Sequence, residues 1–378
     1  MSISRRNMLR VIGAGAVANI ALPAFGAGDI FDVAQSLPGK RPAGPVRLDK
    51  NENAYGPSPA AVAALREILN DVNRYPDIGD RLSAKIATLH KVKPEQVVLG
   101  CGSTEILRMA ADAFLVPGKK LLVATPSYPL LEFYARNKGV EVVRVPLTKE
   151  RAYDLKTMLA RSDNSTGLVY ICNPNNPTGS VTLRQDLEDF LRKLPAAIPV
   201  IMDEAYHHYV GATPSYVSFI DRPMEGRPII VTRSFSKIYG LAGLRIGYAV
   251  TSSELAERLY QNFLQFSDNL LGLKAAIAAL DDQEHVRMSA KRTSDDKEEF
   301  YNHANVRMLG VSDSQTNFVL LQVDHPVEEV LQHFRKNNVL LGWRIPGMDD
   351  FVRVSMGRPE DMKEFWRVWD LLPHQMPH

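Results

Sequence analysis

Cysteine is scarce. Two residues in 378 allow at most one bridge, which excludes a disulfide-held scaffold. Cys101 and Cys172 each follow an apolar run and precede a polar motif, a placement that suits buried free thiols. Long apolar runs are lacking too. The stretch Val11 to Phe25 falls short of the ~20 residues that a spanning helix needs. Nor is there an excess of one charge: 45 Lys and Arg stand against 43 Asp and Glu, and three of those cations precede the first acid, Asp29. The near-neutral body gives no electrostatic case for nucleic acid or anionic lipid as a partner. No internal repeat and no low-complexity linker interrupts the chain. With 45% hydrophobic and 23% charged residues, the body is globular rather than disordered, and long enough for two domains.

What is present begins with the head, MSISRRNMLRVIGAGAVANIALPAFGAG. Arg5, Arg6 and Arg10 form a basic region, an uncharged apolar stretch follows, and Ala24, Gly26 and Ala27 are the small residues that a signal peptidase accepts. That layout is expected of a removed secretory signal, with a membrane anchor as the alternative. The paired arginines after Ser4 resemble the twin-arginine signal of proteins exported already folded, so a periplasmic or otherwise exported location is expected.

From Gln96 to Val250 seven short apolar runs alternate with helical patterns: QVVLG, KLLVA, EVVRV, GLVYIC, IPVIMD, PIIVTRS and RIGYAV. This predicts an α/β fold with a largely parallel sheet covered by helices on both faces. After about Ser252 the pattern turns helical, with EHVRMSAKRTSDDKEEF reading as a solvated, charge-laced helix. TNFVLLQV, VLL and FVRVS, interleaved with two helices, then suggest a smaller α+β part, to which the segment before Tyr75 could contribute.

Ligands of an open parallel sheet bind beyond the carboxyl ends of its strands, and five ends here carry polar or glycine-bearing clusters: CGSTE, TPSYP, CNPNNPTG, DEAY and SFSK. Gly102, Ser103 and Thr104 stand between a strand and a helix, where backbone N–H groups would face an anion such as phosphate; simple N-capping is the alternative. Lys237 ends an apolar strand, where burial would lower its pKa and make its amine nucleophilic toward a carbonyl. Ser234, Ser236 and Arg245 would add donors for the same anion. Asp203 is a carboxylate delivered by an apolar strand, and it needs a cation or N–H partner to stay ionised; a protonated heteroaromatic nitrogen would serve. The Asn-Pro steps fix Asn176 as a donor, while Tyr206 and Tyr128 offer a phenol and a stacking face. His207 and His208 are adjacent, and on a strand they would point to opposite faces. That disfavours one shared metal ion and leaves a pocket role for one of them.

These motifs, with LDKNENAYGPSP, NRYPD, SFSKIYGLAGLRIGY and FVRVSMG in order, resemble the pyridoxal-phosphate-dependent aminotransferases of fold type I, class I/II, in the branch containing histidinol-phosphate aminotransferases. The resemblance spans roughly residues 45 to 370. It implies a large domain with a mostly parallel seven-stranded sheet plus a smaller α+β domain; with the head read as a signal, the expected division is 1–28 signal peptide, 29–74 N-terminal segment joining the small domain, 75–255 large cofactor-binding domain, and 256–378 long helix and small C-terminal domain. It implies that Lys237 is the Schiff-base lysine and that Asp203 pairs with the pyridinium nitrogen, with Asn176 and Tyr206 on the phenolic oxygen and Tyr128 stacked on the ring. Gly102, Ser103, Thr104, Ser234, Ser236 and Arg245 would bind the phosphate, with Tyr75 reaching the phosphate of a neighbouring subunit in a homodimer. Asn53 and Arg353 would bind substrate, Arg353 by gripping the α-carboxylate, although an edge-strand surface arginine is the plainer alternative. The implied reaction moves an amino group between an amino acid and a 2-oxo acid. The same cofactor residues also serve oxidases, hydroxylases, decarboxylases and lyases, and a non-catalytic binding protein is the remaining alternative. Two departures argue against histidinol phosphate as substrate. VLLGWRIPGMDD leaves Arg344 loosely in register with the usual phosphate-binding arginine, and MGRPED replaces the usual GTREE.

Overall fold

The computed structural model describes residues 44–211, 213 and 215–373; the expected signal peptide therefore lies outside the described residues. All seven apolar runs form strands of one sheet. In chain order these are β2 (Val97–Cys101), β3 (Lys120–Thr125), β4 (Glu141–Pro146), β5 (Thr166–Cys172), β6 (Val200–Asp203), β7 (Ile229–Ser234) and β8 (Ile246–Val250), following a short β1 (Val46–Leu48). The spatial order is β2-β8-β7-β6-β5-β3-β4. Pairings are parallel from β7 through to β4, and β8 runs antiparallel to both of its neighbours.

The central strands read as continuous apolar runs because both sheet faces are covered. Every residue of β5 is buried. Leu122, Ala124, Val169 and Ile171 face one core, while Leu121, Val123, Leu168 and Tyr170 face the other. Each Val, Leu or Ile among them contributes about 1.5–3 kcal/mol when fully buried, so a one-residue slip of any strand would reverse its two faces at prohibitive cost.

The remaining strands make two small ladders. β1 pairs in parallel with β10 (Val339–Leu341), and β9 (Phe318–Gln322) pairs antiparallel with β11 (Phe351–Ser355). A third core, built around Phe300, Phe334, Phe365 and Trp366, packs beside them. The described chain from Pro45 onward clusters as one compact unit. The charge-rich stretch expected to be a solvated helix lies within a longer one, Gln283–Val306, that buries Val286, Ser289, Thr293, Asp296, Lys297, Phe300 and Ala304. Their spacing of three and four residues marks a single face, so the helix is amphipathic, with polar side chains carrying part of the buried stripe. No helix among the described residues is long and apolar enough to cross a membrane.

Candidate functional site

The carboxyl ends of the strands open into a cavity of about 410 Å³. Its lining includes Ser103, Thr104, Tyr128, Asn176, Asp203, Tyr206, Ser234, Ser236, Lys237, Arg245 and Arg353 from the sequence expectations, together with Cys172. Both cysteines are free, Cys172 buried and Cys101 half-buried.

Lys237 lies three residues past the end of β7. Its amine donates to the carbonyls of Lys50 and Asn51, each at 3.0 Å. Burial, followed by the nearby Arg353, pushes its pKa down to about 8. Both effects disfavour the ammonium form, so a sizeable fraction of the amine is neutral and nucleophilic near neutral pH.

Asp203 is buried at the end of β6. Its carboxylate accepts from the Tyr170 hydroxyl at 2.9 Å and the Ala205 amide at 3.1 Å. Desolvation raises its pKa overall, and these two bonds offset that only in part. Neither donor is a cation, so a protonated nitrogen arriving in the cavity would supply the charge partner that such a carboxylate lacks.

At the opposite corner, the helix Ser103–Phe114 begins after Gly102, which has φ 73° and ψ 167° and makes no side-chain cap. The N-capping alternative therefore fails: Thr104 Oγ1 donates back to the Cys101 carbonyl at 3.1 Å, and Glu105 accepts from the Cys101 amide at 2.7 Å. Arg245, in the left-handed region at φ 53°, spreads its guanidinium over this corner. It donates to Ser236 Oγ at 3.2 Å, the Ala242 carbonyl at 3.0 Å and Thr104 Oγ1 at 3.3 Å. A Cβ at Gly102 would overlap that guanidinium, so glycine is what allows the arginine and the helix terminus to share one place.

Arg353, expected as a carboxylate grip, is buried on β11 rather than an edge-strand surface residue. Nη1 donates to Asn176 Oδ1 at 2.8 Å and Nη2 to the Asp49 carbonyl at 2.8 Å, while Nε is buried without a partner. The Trp343 ring lies 4.6 Å from the guanidinium carbon. The Tyr206 hydroxyl accepts from Asn51 Nδ2 at 3.0 Å and Asn176 Nδ2 at 3.3 Å, which ties three chain segments to one oxygen.

Asn53, Tyr75, His207 and His208 stand elsewhere, and Gly102 does not itself line the cavity although its neighbour Ser103 does. Asn53 does not line the cavity; its amide holds the Ile238 carbonyl at 2.8 Å, pinning the loop that carries Lys237. The neighbouring Lys50, Asn51 and Glu52 line the cavity instead, because Asn51 takes a positive φ of 54° and turns the chain there. Tyr75 is 78% exposed, with its ring 5.2 Å from that of Phe266. His207 and His208 lie on a 3-10 turn rather than a strand, since β6 stops at Asp203, and neither lines the cavity. His207 Nδ1 meets Tyr216 Oη at 3.1 Å and His208 Nε2 meets Tyr239 Oη at 3.4 Å, and burial pushes both imidazoles toward the neutral form. Sequence reasoning missed Trp343 and also the buried ion pair behind Asp203, where Arg233 Nη2 lies 2.8 Å from Glu204 Oε2.

Pyridoxal phosphate fits these residues. The donor-rich corner at Ser103, Ser236 and Arg245 suits its phosphate, and Lys237 suits its aldehyde. The uncompensated Asp203 suits its ring nitrogen.

Residues 43–368 match the family described as aminotransferase class I and II. A histidinol-phosphate aminotransferase 2 of Carboxydothermus hydrogenoformans is 37% identical over 84% of this chain and 88% of its own length. The crystal structure of the histidinol-phosphate aminotransferase from Clostridium acetobutylicum superposes with TM-score 0.78 at 25% identity, covering 86% of this chain and 98% of its own. A histidinol-phosphate aminotransferase from Sinorhizobium meliloti, solved with pyridoxal 5′-phosphate, shares the fold at TM-score 0.80 and 24% identity, covering 94% and 98%.

Proposed function

The chain belongs to the class I and II aminotransferases and is a pyridoxal-phosphate-dependent enzyme, and from that premise we propose that it moves an amino group between an L-amino acid and a 2-oxo acid. The observation that carries this reading is the convergence of Lys237, Asp203 and Arg353, from three distant segments, on one cavity. When bound, the cofactor supplies an aldehyde and an electron-withdrawing ring; the protein supplies the rest. Lys237 Nζ would hold the aldehyde of the resting enzyme and, once freed by the substrate amine, would carry the proton from the substrate α-carbon to the C4′ carbon of the cofactor. Asp203 would keep the ring nitrogen protonated, while Asn176 and Tyr206 would hold the phenolic oxygen. Arg353 orients the substrate by its α-carboxylate, with Trp343 walling one side of the guanidinium.

Histidinol phosphate is the second reading, favoured by the names of the relatives. Against it, Arg344 is turned out to the surface, where Nε donates to Asp349 Oδ1 at 2.9 Å. We further propose that residues 1–28 direct export of the folded enzyme, supported by Arg5 and Arg6 before an uncharged apolar stretch. A homodimer, in which Tyr75 reaches the phosphate of a second copy, is supported by the two large rings of Tyr75 and Phe266 standing together in solvent.

The test is a single turnover. The visible band of the lysine-bound cofactor, fixed by borohydride and absent in Lys237→Ala, should convert to the aminated cofactor on adding an amino acid, with one 2-oxo acid released. Uptake of oxygen or release of carbon dioxide in step with that change would overturn transamination.

A further inference from the structure

Apart from Asp203, the carboxylate lining the cavity is Glu52, on the segment whose carbonyls hold Lys237. It stands close enough to raise the basicity of Lys237, against the larger effects of burial and Arg353. Trp343 lines the same cavity and, although packed on Arg353, is 55% exposed, which leaves a broad aromatic face free. An aromatic face together with a carboxylate is complementary to a flat cation, which the ring quadrupole attracts and the carboxylate pairs.

We propose that Glu52 and Trp343 determine specificity for an amino donor whose side chain ends in a planar cation, a guanidinium or an imidazolium. The proposal rests on the transaminase reading, which places the substrate carboxylate on Arg353 and so leaves its side chain to this pair of residues. Glu52 already binds a group of this kind: Arg47 Nη2 donates to Glu52 Oε1 at 3.1 Å. Both side chains of that pair are more than a third exposed, at 46% and 38%, so water screens it and it is easily exchanged. A substrate guanidinium stacked on Trp343 would compete with Arg47 for the same carboxylate.

The experiment compares half-reactions of the holoenzyme with L-arginine, L-histidine, L-norleucine and L-glutamate. Calorimetric binding of the same four to cofactor-loaded Lys237→Ala protein gives a readout that needs no turnover. Arginine or histidine should exceed norleucine by roughly tenfold or more in kcat/KM and in affinity, the value of one charge-assisted hydrogen bond. Which of the two leads separates guanidinium from imidazolium. Glu52→Gln should collapse that ratio at least tenfold, with Glu52→Asp restoring part of it. Trp343→Ala should lower arginine and histidine together, and Trp343→Phe less so. Norleucine or glutamate matching the planar cations, or a selectivity ratio unmoved by Glu52→Gln, would overturn the proposal while leaving transamination standing. Tight, Glu52-dependent binding of arginine without conversion to the aminated cofactor would instead sink the transaminase reading and support this subsite.

Discussion

Gly102→Ala separates the cofactor corner from the rest of the fold. At φ 73° and ψ 167° the backbone occupies a region that side-chain-bearing residues avoid, at a cost of about 1–3 kcal/mol. The new methyl would also overlap Arg245 Nη2, and it would lie 3.0 Å from Cζ and 3.3 Å from Thr104 Oγ1. Nη1 is held by Ser236 and Ala242, so the methyl would be accommodated by turning Nη2 away from Thr104 and this corner. Losing one charge-assisted hydrogen bond to the phosphate is worth about 1.5–3 kcal/mol, which converts to roughly tenfold to a hundredfold in the Kd for pyridoxal phosphate. The assay is an absorbance titration of the apoenzyme, paired with its denaturant midpoint. Gly118→Ala is the control: φ is 81° there, nothing lies within 4 Å of a Cβ, and the site is remote from the cavity. It should lose stability and keep its cofactor affinity. If Gly102→Ala binds pyridoxal phosphate within about twofold of the parent protein, Arg245 does not hold the phosphate and the reasoning fails.

Three further outcomes are expected. Reconstitution requires the neutral amine of Lys237, so its rate should rise with pH through about 8 and level off above, well below the ~10.5 of an ordinary lysine; a rate still climbing at pH 10 would contradict this. Glu204→Gln leaves Arg233 buried without its counter-charge and should cost about 3–5 kcal/mol in chemical denaturation, since Ser218 Oγ at 2.9 Å is a neutral partner only; a loss under about 1 kcal/mol would refute it. Replacing Arg5 and Arg6 by lysine should keep the enzyme inside the cell when fractions are assayed, and continued export would refute the twin-arginine assignment.

The large sheet was legible because strands buried on both faces are written as unbroken apolar runs, and the polar clusters after them mark the carboxyl ends where ligands sit. Less local features were not. In LDKNENAYGP nothing distinguishes Asn51 from Asn53; a positive φ at Asn51, set by tertiary contacts, decides which one faces the cavity. The long helix looked solvated because its buried stripe uses Ser289, Thr293, Asp296 and Lys297, and Lys297 is satisfied by the Ser314 carbonyl at 2.6 Å. Periodicity does not show that β6 stops at Asp203, so the sequence alone reads His207 and His208 as strand residues. Trp343 sits in an irregular loop, where neither helical nor strand periodicity marks a buried face. The Glu204–Arg233 pair joins residues 29 positions apart on adjacent segments, which no local pattern reveals.

The chain order of the cavity walls bears on how the site comes into being during synthesis. By the time Val250 has been made, the whole seven-stranded sheet exists as sequence, with Ser103, Asp203, Lys237 and Arg245 at its edge. Trp343 and Arg353 come roughly a hundred residues later, and the first strand, Val46–Leu48, must wait for Val339–Leu341 before it has a partner. A growing chain that folds from its N-terminal side thus completes the cradle for the cofactor before the surface that would select among amino acids. On the proposed roles the sheet would be able to capture its cofactor before Trp343 and Arg353 exist to meet a substrate, so loading would precede substrate choice in the life of each chain.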